Sequence, residues 1–219
     1  MGFAVNDERL WRMIRESRGR LVEDLEGLSE EQWRHPTLCG DWDVEHVVAH
    51  LTAAASVGKL RWITSMLGAG FRPAVHNERR LRECLGATPP ETLASFRAVV
   101  DSTVAPTGDT AAFLGEVIVH AEDIRYPLGL RARPGNDGRD SVDPETAVAA
   151  FYASRDFAVP SKTVAKGLRL VATDGPFTAG DGPEVAGPTL ALVMVMAGRA
   201  SHLGQLSGAG APTLAERIG

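Results

Sequence analysis

Two pairs of ligand-capable side chains recur at four-residue spacing in this chain. One is His46 and His50 in His46-Val47-Val48-Ala49-His50-Leu51; the other is Glu116 and His120 in Glu116-Val117-Ile118-Val119-His120. That spacing brings two side chains within reach of each other only on a helix, where i and i+4 stack on one face. On a strand the same two residues would stand about 13 Å apart. The pattern therefore asks first for helices that face each other. A carboxylate and an imidazole on one helix, opposite an imidazole on another, supply three ligands to a divalent metal and leave a fourth position open.

The rest of the chain supports helices over most of its length. Leu10, Ile14, Leu21 and Leu25 mark a helix over about 8–28, ended by Gly27 and Ser29. A loop at 36–42 leads to Asp43, an N-cap for a helix over about 44–66. Further helices are expected at about 77–85, 90–104 and 110–126, and another starts at Asp143-Pro144-Glu145. Residues 131–140, rich in Gly, Pro, Asn and Asp, read as a loop. After Pro160 the texture changes: 167–173 alternates like a strand, turns follow at 174–183, and helix returns over 188–200. The expected architecture is mainly α, a four-helix bundle over 1–159 followed by a small α+β domain over 160–219.

Composition excludes several classes of function. The net charge is −5 and no stripe interleaves basic and aromatic residues, so nucleic acid is not expected as a partner. Two cysteines, Cys39 and Cys84, give no disulfide framework. The N-terminus has no apolar core of a secretory signal. The longest apolar tract, 185–198, is broken by Gly187 and Pro188 and is too short to span a bilayer. A cytoplasmic protein without membrane attachment is expected.

A helical wheel places Glu116 and His120 beside the stripe Phe113, Val117, Ile124 and Leu128, at the rim of a buried face. His50 flanks its own stripe beside Val47 and Ala54, whereas His46 lies farther toward solvent. His50 is thus favoured over His46 as an inward ligand, although a single i,i+4 Glu–His pair is commonly only a surface contact. Asp123, one turn past His120, is either an orienting partner for an imidazole or a solvated acid near a helix end. Cys39 and Trp42 are read as packing in preference to reactive or ligand-contacting groups, and Trp33 as a core anchor. Arg199, in Ala197-Gly198-Arg199-Ala200, interrupts an apolar tract and needs an anion, either a protein carboxylate or a substrate.

These motifs together resemble the mycothiol-dependent maleylpyruvate isomerase family. The resemblance rests on Leu38-Cys39-Gly40-Asp41-Trp42, His46-Val47-Val48-Ala49-His50-Leu51, residues 116–124 and Ala197-Gly198-Arg199, and it covers nearly the whole chain. It implies that the bundle is DinB-like. It also implies that the metal, usually zinc in that family, is held by His50, Glu116 and His120, and that Arg199 is a catalytic basic residue. The implied cosubstrate is mycothiol, the low-molecular-weight thiol of actinobacteria, acting on a small electrophilic, carboxylated substrate by isomerisation or S-transfer. Two other readings compete with it. In one, a non-catalytic protein keeps the metal as a staple or sensor; in the other, the C-terminal unit binds a small apolar ligand.

Overall fold

The computed structural model describes residues 5–56, 58, 73–105, 108–131 and 142–219, with backbone only for residues 73–78. The chain divides into two compact units, Asp7–Pro134 and Gly135–Gly219 together with Met1–Asn6.

The first unit is the helical bundle. Helix α1 (Asp7–Glu26) opens on two acids that suit the positive end of its dipole, and it buries Leu10, Ile14, Leu21 and Leu25 at helical spacing. A one-turn helix, α2 (Glu30–Trp33), is fixed by a Ser29–Gln32 capping box and seats Trp33 in the core. Helix α3 (Val44–Ser56) is capped by Asp43, whose Oδ1 accepts from the His46 N–H at 2.9 Å. Its expected continuation to Met66 lies outside the described residues. Helices α4 (Pro73–Cys84), α5 (Pro89–Arg97) and α6 (Thr110–Arg125) complete the unit. Helix α1 packs along α6, and α3 lies against α4, α5 and α6. Helix α5 stops short of the expected Val104: its C-terminal segment turns back, and the Arg18 guanidinium on α1 donates to the carbonyls of Val99 at 3.2 Å and Ser102 at 2.8 Å.

The second unit begins with α7 (Pro144–Ser154), N-capped by Asp143, and the short α8 (Ser161–Ala165). Strands β1 (Arg169–Ala172), β2 (Thr178–Ala179) and β3 (Glu184–Gly187) form a sheet in the order β2-β1-β3. The first pair is antiparallel, with Leu170 opposite Ala179; β1 and β3 run parallel, with Leu170 opposite Val185. The expected strand is present, while β2 and β3 fall where turns and the start of an apolar tract were expected. Gly180, at φ +76°, lets the chain pass the Leu168 carbonyl, which a Cβ there would strike. Helix α9 (Thr189–Met196) starts where the Asp174 carboxylate accepts from the Thr189 N–H at 2.8 Å. A 3₁₀ turn (Ala200–Gln205) and α10 (Ala211–Ile218) end the chain.

The division between the compact units falls ahead of α7. The reason is α9, which is apolar and buried on nearly every side and so needs a cover. Helix α7 supplies part of it, turning in Ala147, Val148 and Tyr152. The fold is thus mainly α, a helical bundle followed by a small α+β unit. No helix among the described residues is long and apolar enough to cross a membrane.

One buried ion pair ties the ends of two bundle helices. Arg125 of α6 reaches Asp24 of α1 at 2.6 Å, with 9% and 7% of the two side chains exposed. Removing one partner strands the other charge, so Asp24→Ala is expected to cost about 3–5 kcal/mol of stability. Adding Arg125→Met should recover most of that loss; equilibrium denaturation of the three proteins measures it.

Candidate metal centre

His50 projects from α3 toward α6, where Glu116 and His120 stand one turn apart. The His50 Nε2 lies 2.9 Å from Glu116 Oε1. The two imidazoles meet edge to face, with ring centroids 5.0 Å apart. One donor atom from each of the three residues lies within 4.8 Å of the others. Ligands each about 2.1 Å from a tetrahedral zinc stand roughly 3.4 Å from one another, so small side-chain rotations would close this set on an ion. Two imidazole nitrogens and a carboxylate oxygen fit a divalent metal of the zinc–nickel group. The group is sheltered but reachable: 11% of the His50 side chain and 29% of the Glu116 side chain are exposed.

The carboxylate of Asp123 is fully buried and lies 2.9 Å from His120 Nδ1. That settles its character as an orienting partner. It holds the proton on Nδ1 and leaves the Nε2 lone pair for a ligand role. His46 goes elsewhere: its Nδ1 is 2.6 Å from Asp43 Oδ1, within the cap of α3.

Charge in this region is arranged to keep the donors deprotonated. Burial pushes the Glu116 carboxyl up, but the hydrogen bond from His50 and the nearby His50, His120 and Arg18 outweigh it and hold the group below its usual value. Burial also holds His120 below the ordinary histidine value, against the opposing pull of Asp123 and Glu116. Arg18, buried on α1, is lowered to about 10 by desolvation while Glu116 draws it back up.

Three neighbours were not assigned to the site from sequence. Arg18 looks like an ordinary surface residue of an amphipathic helix until its burial is seen. Trp42 lies over the His50 ring at 5.0 Å between centroids. Cys39 stands with His120 and Asp123 in a second group whose donor atoms are within 4.8 Å of one another. The Leu38-Cys39-Gly40-Asp41-Trp42 run was the available signal, but it fixes no distances.

Arg199 belongs to the second unit. The helix expected over 188–200 is shorter: α9 ends at Met196, Gly198 turns at φ +86°, and Arg199 follows, half-buried. Its Nη1 donates to the Ala197 carbonyl at 2.8 Å.

Against known proteins, residues 14–125 match the family described as mycothiol maleylpyruvate isomerase N-terminal domain. Two solved structures share the fold: that of the mycothiol-dependent maleylpyruvate isomerase (TM-score 0.59, 15% identity) and that of a histidine-to-alanine mutant of such an enzyme (TM-score 0.61, 16% identity). In both comparisons 94% of each chain is covered. No curated protein matches.

The lowered values of His120 and Glu116 carry a stability consequence for the metal-free protein. Each group binds fewer protons folded than unfolded, so its contribution is complete above the unfolded value and is lost as pH falls. Stability should fall first below the unperturbed histidine value of 6.5 and again below the carboxyl value of 4.5. His120→Gln should flatten the first decline. Denaturation midpoints of both proteins across this range test it, and parallel declines would contradict the assignment.

Proposed function

Because the chain belongs to the mycothiol maleylpyruvate isomerase N-terminal domain family, we propose that it is a metal-dependent enzyme that uses a low-molecular-weight thiol, mycothiol, on a small electrophilic substrate. The observation that carries this reading is the convergence of His50, Glu116 and His120 from two helices of the bundle. When bound, a divalent metal, zinc in the first instance, would supply a Lewis-acid position that favours the deprotonated form of an entering thiol.

The chain's own residues do the remaining work. Glu116 stays ionised at neutral pH and offers an anionic oxygen. His120 is held in one tautomer by Asp123. The entering sulfur forms a C–S bond to a conjugated carbon, whose π pair moves toward the carbonyl. Rotation about the resulting single bond and cleavage of the C–S bond then restore the double bond in the other geometry. In an S-transfer the C–S bond is kept and a proton is taken up. Arg199 is the proposed anchor of a substrate carboxylate, through the paired N–H groups of its guanidinium.

A second reading keeps the metal as a staple or sensor. Cys39 favours it, since a thiol so close to His120 and Asp123 could close a coordination sphere.

Replacing His120 by Ala should abolish stoichiometric zinc in the purified protein; full occupancy would rule out the assignment. A thiol-consumption assay against a panel of electrophiles separates enzyme from staple. Arg199→Lys should leave metal content unchanged and reduce kcat/KM for a carboxylated substrate roughly tenfold to a hundredfold, the worth of a charged hydrogen bond. Unchanged kcat/KM would remove Arg199 from the mechanism.

A further inference from the structure

Both candidate imidazole ligands are held from the same short segment. Residues 37–42, between α2 and α3, form a closed loop. The Thr37 N–H and hydroxyl both donate to the Trp42 carbonyl, at 3.0 and 2.8 Å. The Cys39 N–H donates to Thr37 Oγ1 at 3.1 Å, and the Trp42 N–H donates to the Cys39 carbonyl at 3.2 Å. Flanking residues Pro36 and Asp43 pair as an antiparallel bridge at the loop's base. Tied by these four internal hydrogen bonds, the loop behaves as one piece and loses much of the freedom of an open connection.

Each end of this piece touches one side of the metal cluster. At the far end, the Trp42 ring tilts 42° over the His50 ring with centroids 5.0 Å apart. At the near end, the Leu38 N–H donates to the Asp123 carbonyl at 3.1 Å. The Cys39 thiol lies within 4.8 Å of the donor atoms of His120 and Asp123. Asp123 in turn fixes the His120 ring. An imidazole ligand has a soft torsion about its Cβ–Cγ bond, and what touches its flat face and its distal nitrogen decides where its lone pair points. The loop supplies the first kind of contact for His50 and supports the second for His120.

We propose that residues 37–42 are a positioning element for the metal centre, in which Trp42 fixes the His50 ring and the Leu38–Cys39 end steadies Asp123 and, through it, His120. This rests on the metal-centre reading above and adds to it a cause for the alignment of the two imidazoles, which come from different helices. Trp42 and Thr37 are positioning residues here and contact no reacting atom.

The test uses the full chain loaded with Zn²⁺ or Co²⁺, comparing wild type with Trp42→Ala, Trp42→Phe and Thr37→Val. Zinc affinity is read by competition with a chelator, and ligand geometry by the visible absorption of the Co²⁺ protein. Trp42→Ala should weaken zinc binding roughly tenfold to a hundredfold, the usual effect of losing a group that orients a ligand, and should alter the Co²⁺ spectrum. Trp42→Phe, which keeps a flat face, should restore both. Thr37→Val, which opens the loop without touching a ligand, should weaken binding about tenfold. A merely structural loop would lower the melting temperature and leave affinity and spectrum as in wild type, which would overturn the proposal. If Trp42→Ala does not fold, wild-type affinity and spectrum in Thr37→Val overturn it equally. Failure of the wild-type chain to take up zinc or Co²⁺ would instead refute the metal-centre reading itself.

Discussion

The 2.9 Å contact between His50 Nε2 and Glu116 Oε1 is the point on which the arrangement of the bundle depends. It joins α3 to α6 through polar groups at a place where their neighbours are Val47, Val48, Val117 and Val119, all buried. Polar groups in such surroundings destabilise a fold unless each has a partner. Most of the local structure can be understood as meeting that demand. His50 meets Glu116, His120 meets Asp123, and Arg18 closes the end of α5 while its charge steadies Glu116.

The same arrangement explains why the cluster suits a cation. Glu116 and Asp123 bring negative charge close to His120, and Arg18 returns one positive charge. Both shifted acid–base groups of the cluster are held toward their deprotonated forms, the forms that bind metals. A site prepared in this way gives up fewer protons to take an ion than an unstructured set of the same residues would.

Sequence spacing made the candidate ligands legible because a helix converts residue number into direction with little freedom. The four-residue interval and the adjacent apolar stripes set His50, Glu116 and His120 apart from His46 before any coordinates, and the structure brings the first three together. What was hidden depends on contacts between distant segments. Helix α7 covers a helix more than thirty residues later, a relation that no local pattern carries. Strand β3 was missed because Glu184–Gly187 lies between Pro183 and Pro188, where Gly and Pro read as turns. The helix before Arg199 ends earlier than its apolar composition suggests, with Gly198 taking the left-handed turn. Trp42 and Cys39 were passed over because a loop's closure, unlike a helix's face, cannot be projected from spacing.

The proximity of Cys39 to His120 and Asp123 makes the identity of the fourth ligand the sharpest question about this centre. X-ray absorption at the zinc edge of the loaded protein, with and without added thiol, answers it most directly. The account predicts imidazole nitrogens and a carboxylate oxygen around zinc in the thiol-free protein, and one sulfur neighbour only after the thiol is added. A sulfur neighbour before any thiol is added, or a closed set of protein ligands that added thiol leaves unchanged, would contradict it.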